Sequence, residues 1–183
     1  MKNLLLCFFV LFLLSYIPFT KQPPPPNPPC LDIEIETEVC ILIETRGINE
    51  FLTDIGQRES SNRYSIVNRF GYMGKYQFGK STLRTLKIKV TKDAFLNSPD
   101  LQEYAMKQNL LYNKKRLKKY ITQYDGKVIH GVLITESGLL AAAHLGGSGN
   151  VRKFFRNGKV FKDGNGVKIT HYMELFSGYT LNL

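Results

Sequence analysis

The sequence predicts a mainly α-helical (α+β) domain with a small hairpin, preceded by an apolar leader and a proline-rich spacer. Helical periodicity over 48–60, 99–120 and 135–145 indicates the fold class. A DGNG turn at 163–166 indicates the hairpin. With 183 residues, the chain suffices for one domain and a short appendage. A hydrophobic content of 43% excludes disorder of the whole chain.

Residues 1–22 read as a signal peptide or a membrane anchor. Lys2 precedes an uncharged apolar stretch over 4–19, which is typical of a secretory signal. No small-residue cleavage site stands out before Lys21, so a retained anchor stays open. Residues 23–30 (PPPPNPPC) form a stiff polyproline spacer of roughly 20 Å. We therefore expect an exported protein: periplasmic, in the cell envelope, or secreted.

Residues 31–46 form an acidic lead-in with strand periodicity, because apolar and acidic side chains alternate. Export would expose Cys30 and Cys40 to oxidising conditions, where they can pair, although sequence alone leaves this open. The charge changes sign along the chain. Residues 1–54 hold 3 basic and 7 acidic side chains, whereas 55–183 hold 22 and 8. The domain at 47–183 is therefore strongly basic and suits an anionic partner.

The first predicted helix, 48–60, carries an acidic residue on its apolar face. Ile48, Phe51, Leu52 and Ile55 follow the i, i+3, i+4, i+7 pattern, and Glu59 continues it at i+11. Burial disfavours the charged form of a carboxylate, which suits a general acid. On the helix pattern alone, a surface glutamate at a fraying helix end is the simpler interpretation.

The segment after this helix resembles a known enzyme group. Residues 58–79 (RESSNRYSIVNRFGYMGKYQFG) and 141–151 (AAAHLGGSGNV) resemble motifs of the soluble lytic transglycosylases and goose-type lysozymes, in the lysozyme-like superfamily. Glu59 and Ser60 match the Glu-Ser pair, and 74–77 occupy the Gly-Leu-Met-Gln-like element. The chain departs from the family where Ala143 and His144 replace Tyr and Asn. Lys75 and Tyr76 likewise replace Leu and Met.

The resemblance implies a lysozyme-like fold that cleaves the MurNAc-GlcNAc β-1,4 bond of peptidoglycan. Glu59 would act alone as acid and then base, and the 6-hydroxyl of the substrate would close a 1,6-anhydro ring. After Glu59 no acidic residue occurs before Asp93, which agrees with a single glutamate. Ser60 either caps the helix or orients Glu59. Expected substrate-binding residues are Ser60, Tyr76, Gln77, His144 and Tyr172; Tyr72 and Phe78 are further candidates for stacking on sugars.

The remaining chain reads as scaffold. The helix at 99–120 carries a basic cluster at 114–119. The helix at 135–145 would stop at Gly146, and 172–179 would close the core. Residues 163–166 read as a turn, since a calcium loop would need further oxygen ligands. The buried candidates of the 99–120 helix are Leu101, Ala105, Leu111 and Leu117.

Several alternatives stay open from the sequence. A hydrolytic muramidase would differ only in using water as the attacking group, and a non-catalytic peptidoglycan-binding module could keep the same fold. The expected partners are peptidoglycan glycan strands, with anionic envelope polymers or a membrane surface as further partners of the basic face. Export argues against nucleic acid. We expect no cofactor and no metal, because neither the three cysteines nor His130 and His171 show metal-ligand spacing.

Overall fold

The computed structural model describes residues 46–183. The expected leader (1–22), the spacer (23–30), Cys30 and Cys40 lie outside the described residues, as does the acidic lead-in apart from Arg46. Of the described residues, 57% are helical, which confirms the mainly α fold class. None of the helices in this part of the chain has the length and apolar character needed to span a membrane. The elements are α1 (Ile48–Ser60), α2 (Lys80–Thr85), α3 (Lys92–Leu96), α4 (Pro99–Tyr124), β1 (Val128–Ile129), β2 (Val132–Leu133), α5 (Glu136–Asn157) and α6 (Ile169–Leu175).

The first half of α5 is the central element of the core. Residues 139–143 are all buried, as expected for a helix surrounded by other elements. The helix packs against α4 and α6. At Gly138 an added Cβ would lie 2.4 Å from the carbonyl oxygen of Met173, so the close approach of α5 and α6 requires glycine.

Helix α1 has the bounds that the sequence predicts. The Glu50 carboxylate accepts a hydrogen bond from the backbone N–H of Gly47 (2.9 Å), and Ser61 ends the helix in the left-handed region. Phe51, Leu52 and Ile55 are buried in the core, as the periodicity predicts. Glu59 is therefore held in the last turn of a helix that is fixed by its apolar face.

The prediction that the late helix stops at Gly146 is wrong. The helix bends at Gly147, whose φ of 77° is left-handed, and continues to Asn157, where Gly158 ends it. Val151 and Phe154 are buried and extend the apolar face beyond the glycines. Packing of this second half therefore overrides the stop signal of the glycines, which produces a kink instead of an end.

Helix α4 continues to Tyr124, four residues beyond the predicted end, and presents a different face to the core. Leu111, an expected core residue, is 43% exposed, and Leu101 is only half-buried. Ala105 and Leu117 are buried as predicted. Three polar residues share the buried face, which consists of Gln102, Ala105, Met106, Asn109, Leu110, Asn113 and Leu117.

The β structure within residues 46–183 is small. Strands β1 and β2 form a two-stranded antiparallel hairpin, at a place that the sequence did not indicate. The turn at 163–166 is confirmed, and a single bridge between Lys162 and Lys168 flanks it. The Asp163 carboxylate accepts hydrogen bonds from the N–H groups of Asn165 (2.9 Å) and Val167 (2.7 Å), which stabilise the turn.

Candidate active site

A cleft of about 630 Å³ opens beside the end of α1. Its walls come from the end of α1, the loop before α2, α2 itself, one face of α4, the kink of α5 and the 163–166 turn. Elements distant in sequence thus meet at one place. The polar side chains among its lining residues include Glu59, Gln77, Asn109, Asn113, Arg116, His144, Ser148 and Asp163.

Glu59 lies at the wall of this cleft with a side chain that is 15% exposed. Its Oε1 accepts a hydrogen bond from the Tyr172 hydroxyl (2.7 Å). The Nε2 atom of His144 lies 4.0 Å from the same oxygen. Within the described residues, no side chain is hydrogen-bonded to Oε2. The carboxyl is therefore fixed through one oxygen, and the other is left for a ligand.

Tyr172 positions Glu59 and does not itself line the cleft. The ring is buried in the core on α6, as expected for 172–179, and is not at the cleft, where Tyr172 was expected to bind substrate. Burial, together with the charge and hydrogen bond of Glu59, raises the pKa of Tyr172 against the opposing effect of Arg58. The phenol thus stays protonated at neutral pH and remains a hydrogen-bond donor to Glu59.

His144 is a neutral residue of the cleft wall whose imidazole is 6% exposed. Its Nδ1 accepts from the Asn109 side-chain amide (3.0 Å), and its Nε2–H donates to the Tyr76 carbonyl (2.9 Å). These partners fix one tautomer. Burial lowers the pKa of His144, although the Glu59 charge and the Tyr76 carbonyl oppose this. At pH 7 the ring is therefore uncharged.

Two asparagines on α4 support His144, and neither was expected from the sequence. Asn113 donates to the Asn109 side-chain oxygen (3.0 Å), and Asn109 in turn donates to His144. Both residues are buried and line the cleft. The spacing of Asn109 and Asn113 could have indicated this role, because polar residues at i and i+4 on a buried helix face need specific hydrogen-bond partners.

Ser60 has a structural role. Its buried hydroxyl donates to the Lys75 carbonyl (2.8 Å) and accepts from the N–H of Arg63 (3.0 Å). Ser60 does not line the cleft, so this structure does not place its hydroxyl for the expected substrate contact. The alternative of a helix-end cap is correct, since the hydroxyl ties the loop to the end of α1.

The loop that follows α1 is fastened to α4 by the buried Gln102. Its side-chain oxygen accepts from the N–H of Lys75 (2.8 Å), and its amide donates to the carbonyls of Tyr64 and Phe95. At Gly74 an added Cβ would lie 2.0 Å from this side chain, and φ is +74°. The glycine is required here by both backbone conformation and space.

A second set of contacts fastens the loop through Glu103. Its carboxylate accepts from Lys75 Nζ (2.8 Å) and from the hydroxyls of Tyr64 (2.7 Å) and Tyr76 (2.6 Å). Burial would raise the pKa of Glu103, but these hydrogen bonds and the Lys75 charge outweigh it and lower the pKa. Glu103 thus stays ionised and holds the loop in place.

Tyr76 and Gln77 have different roles. The Tyr76 ring is fully buried and does not line the cleft, so it cannot stack on a sugar in this conformation. Its contribution is the carbonyl that holds His144. Gln77 does line the cleft, with a left-handed φ of 50°, and its amide donates to the Gly74 carbonyl (2.8 Å). Its side-chain oxygen is left as an acceptor.

The exposed aromatic residues that line the cleft are Phe70, Tyr72 and Tyr112. Flat aromatic faces suit the apolar faces of pyranose rings. Phe78 is buried, and its ring packs edge-to-face with the His144 ring, with 5.5 Å between the ring centroids. Of the expected stacking residues, Tyr72 is therefore accessible and Phe78 is part of the wall. Phe70 was not expected from the sequence.

Asp163 is a second carboxylate at the cleft wall, supplied by the 163–166 turn. The other acidic residues between Glu59 and Asp163 do not line it; they are Asp93, Asp100, Glu103, Asp125 and Glu136. Within residues 46–183 no three side chains of metal-ligand type lie together. The chain matches no known family model, and no curated protein or solved structure matches it.

Proposed function

We propose that this protein cleaves the MurNAc-GlcNAc β-1,4 bond of peptidoglycan as an exported, lysozyme-like lytic transglycosylase, with Glu59 as its single acid and base. The observation that carries the proposal is the setting of Glu59. It lies at the wall of a cleft large enough for sugar residues, between a neutral phenol and a neutral imidazole. Among residues 46–183 no lysine or arginine is paired with the carboxyl, which favours proton exchange with a substrate.

In the proposed reaction, protonated Glu59 gives its proton to the glycosidic oxygen as the C1–O bond breaks. The leaving sugar departs as an alcohol. The carboxylate then takes the proton of the substrate's 6-hydroxyl as that oxygen bonds to C1, which closes the 1,6-anhydro ring and restores the acid. Tyr172 holds Oε1 throughout, so both proton transfers use Oε2.

The fold supports the same proposal. A glutamate lies in the last turn of the first helix, a glycine-containing loop follows it, and the central helix brings His144 to within 4.0 Å of Glu59. This is the order of elements that the motif resemblance implies. The proposal includes peptidoglycan strands as substrate, and anionic envelope polymers or a membrane surface as partners of the basic residues at 114–119.

Asp163 favours one second candidate, a hydrolytic muramidase. Glycosidases that hydrolyse their substrate commonly use two carboxylates across the scissile bond. Asp163 lines the same cleft as Glu59, and only its Oδ1 is engaged by the backbone of the turn. Such a carboxylate could activate a water molecule in place of the substrate's own hydroxyl.

The test is a digestion of purified peptidoglycan by the full-length protein in mild detergent, with soluble products identified by mass spectrometry. Glu59→Gln, Asp163→Asn and, as a matched control, Glu174→Gln are run in parallel; Glu174 is exposed and lies outside the cleft. Anhydro-muropeptides that require Glu59 but not Asp163 support the proposal. Reducing ends that require both carboxylates favour the muramidase. Binding to sacculi without any release by the wild type would indicate a binding module and overturn both reactions.

A further inference from the structure

Arg116 is the only lysine or arginine that lines the cleft within residues 46–183. It belongs to α4, and its Nε–H donates to the Ser148 hydroxyl (3.0 Å), just after the kink of α5. The guanidinium carbon lies 5.4 Å from the centre of the Tyr112 ring. Ser148 is buried, so it is a fixed acceptor. The side chain of Arg116 is thus held at the cleft by two neighbours.

We infer that Arg116 binds a carboxylate carried by the glycan and thereby selects carboxylate-bearing strands over neutral ones. This inference rests on the proposed function and identifies the substrate class of the same cleft. A guanidinium has five N–H donors, and only the Nε donor of Arg116 has a partner among the described residues. The remaining fork has the geometry that binds a carboxylate through two parallel hydrogen bonds.

The charges of the cleft point to the same role. Asp163 also lines it, so a negatively charged substituent is repelled from that part of the wall. Arg116 is the one position on the described wall where such a group is attracted. The arginine therefore fixes which way a strand with carboxylate substituents lies in the cleft. A neutral strand of N-acetylglucosamine has no group that needs this contact.

The carboxylate has two sources in peptidoglycan. Glycan stripped of its peptides carries a free carboxylate on each lactyl group, whereas intact strands carry the carboxylates of the peptide stems. The experiment therefore uses three ligands of similar length: a chitin oligosaccharide, stripped glycan and stem-bearing glycan. Binding is measured by calorimetry with full-length protein in mild detergent, in a Glu59→Gln background that prevents cleavage.

The expected result is that Arg116→Gln weakens binding of a carboxylate-bearing strand by about tenfold, as for the loss of a charge-assisted hydrogen bond. Binding of the chitin oligosaccharide should stay unchanged, which also shows that the variant is folded. The matched control is Lys107→Gln, which removes the same charge from α4. Lys107 is exposed, lies outside the cleft, and is nine residues away, or about 180° around the helix.

Each outcome has a separate meaning. A loss confined to stripped glycan assigns the lactyl carboxylate, and a loss confined to stem-bearing glycan assigns the stem. An equal loss for chitin overturns the inference, because Arg116 would then act through packing alone. An equal loss in Lys107→Gln would overturn it in favour of general attraction to a basic protein. If the wild-type cleft binds none of the three ligands, the proposed function fails and the inference fails with it.

Discussion

Glu59 and Glu103 are glutamates on two helices that flank the same loop, and their surroundings differ in one respect. Glu103 accepts hydrogen bonds from the Lys75 ammonium and from the hydroxyls of Tyr64 and Tyr76. Its negative charge is therefore balanced by partners within the protein. Glu59 accepts one bond from a phenol and faces a neutral imidazole. A carboxylate paired with a buried ammonium stays ionised and is suited to structure. One with neutral partners at a cleft is suited to proton transfer.

The largest effect that this comparison predicts is on activity at Glu59. Glu59→Gln keeps the shape of the side chain and its bond from Tyr172 but removes the proton-transfer group. We expect the rate of product release to fall roughly a thousandfold. The unfolding midpoint in urea, followed by circular dichroism, should stay close to that of the wild type. A large loss of stability instead would show that Glu59 is a structural residue, like Glu103.

The converse variant, Glu103→Gln, should mainly lower the stability of the folded protein. It leaves the Lys75 ammonium, whose side chain is 11% exposed, without its counter-charge. Because Glu103 is itself 28% exposed, we expect a loss of about 2–3 kcal/mol in the free energy of unfolding, below the range for fully buried pairs. Urea unfolding at pH 7 measures this.

The stability that Glu103 contributes should change with pH in a defined direction. The pKa of Glu103 is lower in the folded state than its ordinary value of 4.5. Its contribution to stability is therefore complete above pH 4.5 and is lost as the pH falls through the folded pKa. The difference between wild type and Glu103→Gln should shrink on acidification below pH 4.5. A constant difference would contradict this assignment.

A smaller effect is expected from Tyr172→Phe. The substitution keeps the buried ring and removes the hydroxyl that holds Oε1 of Glu59. We expect kcat to fall by about tenfold, the equivalent of one hydrogen bond, with KM unchanged. Since Tyr172 does not line the cleft, a rise in KM without a fall in kcat would indicate a substrate contact and contradict a positioning role.

The smallest effect concerns His144 and the pH dependence of stability. Its pKa lies below the ordinary value of 6.5 because burial disfavours the charged ring. The unfolded state therefore binds more protons, and stability falls as the pH drops below 6.5. His144→Asn should reduce this slope by at most about 1.4 kcal/mol per pH unit. Unfolding at pH 7 and pH 5 tests it; His130 and His171 are common to both proteins, so equal slopes would contradict the prediction.

Much of the helical framework followed from local sequence. The bounds of α1 were predicted, because its apolar stripe repeats at helical spacing. The start of α4 and the 163–166 turn were predicted for similar local reasons. The path of α5 was not, since two glycines signal a stop in sequence whereas buried Val151 and Phe154 continue the helix beyond them.

The site divides in the same way. The sequence by itself predicted Glu59, Gln77 and His144 through the motif resemblance, whereas the helix pattern alone favoured a surface glutamate at position 59. All three residues line the cleft. Only the tertiary structure brought Asn109, Arg116 and Asp163 to the cleft. It also turned Ser60 and Tyr76 inward and assigned Tyr172 to Glu59, from 113 residues away. The physical reason is that periodicity reports which face of a helix is buried, whereas contacts between distant segments depend on how those faces pack.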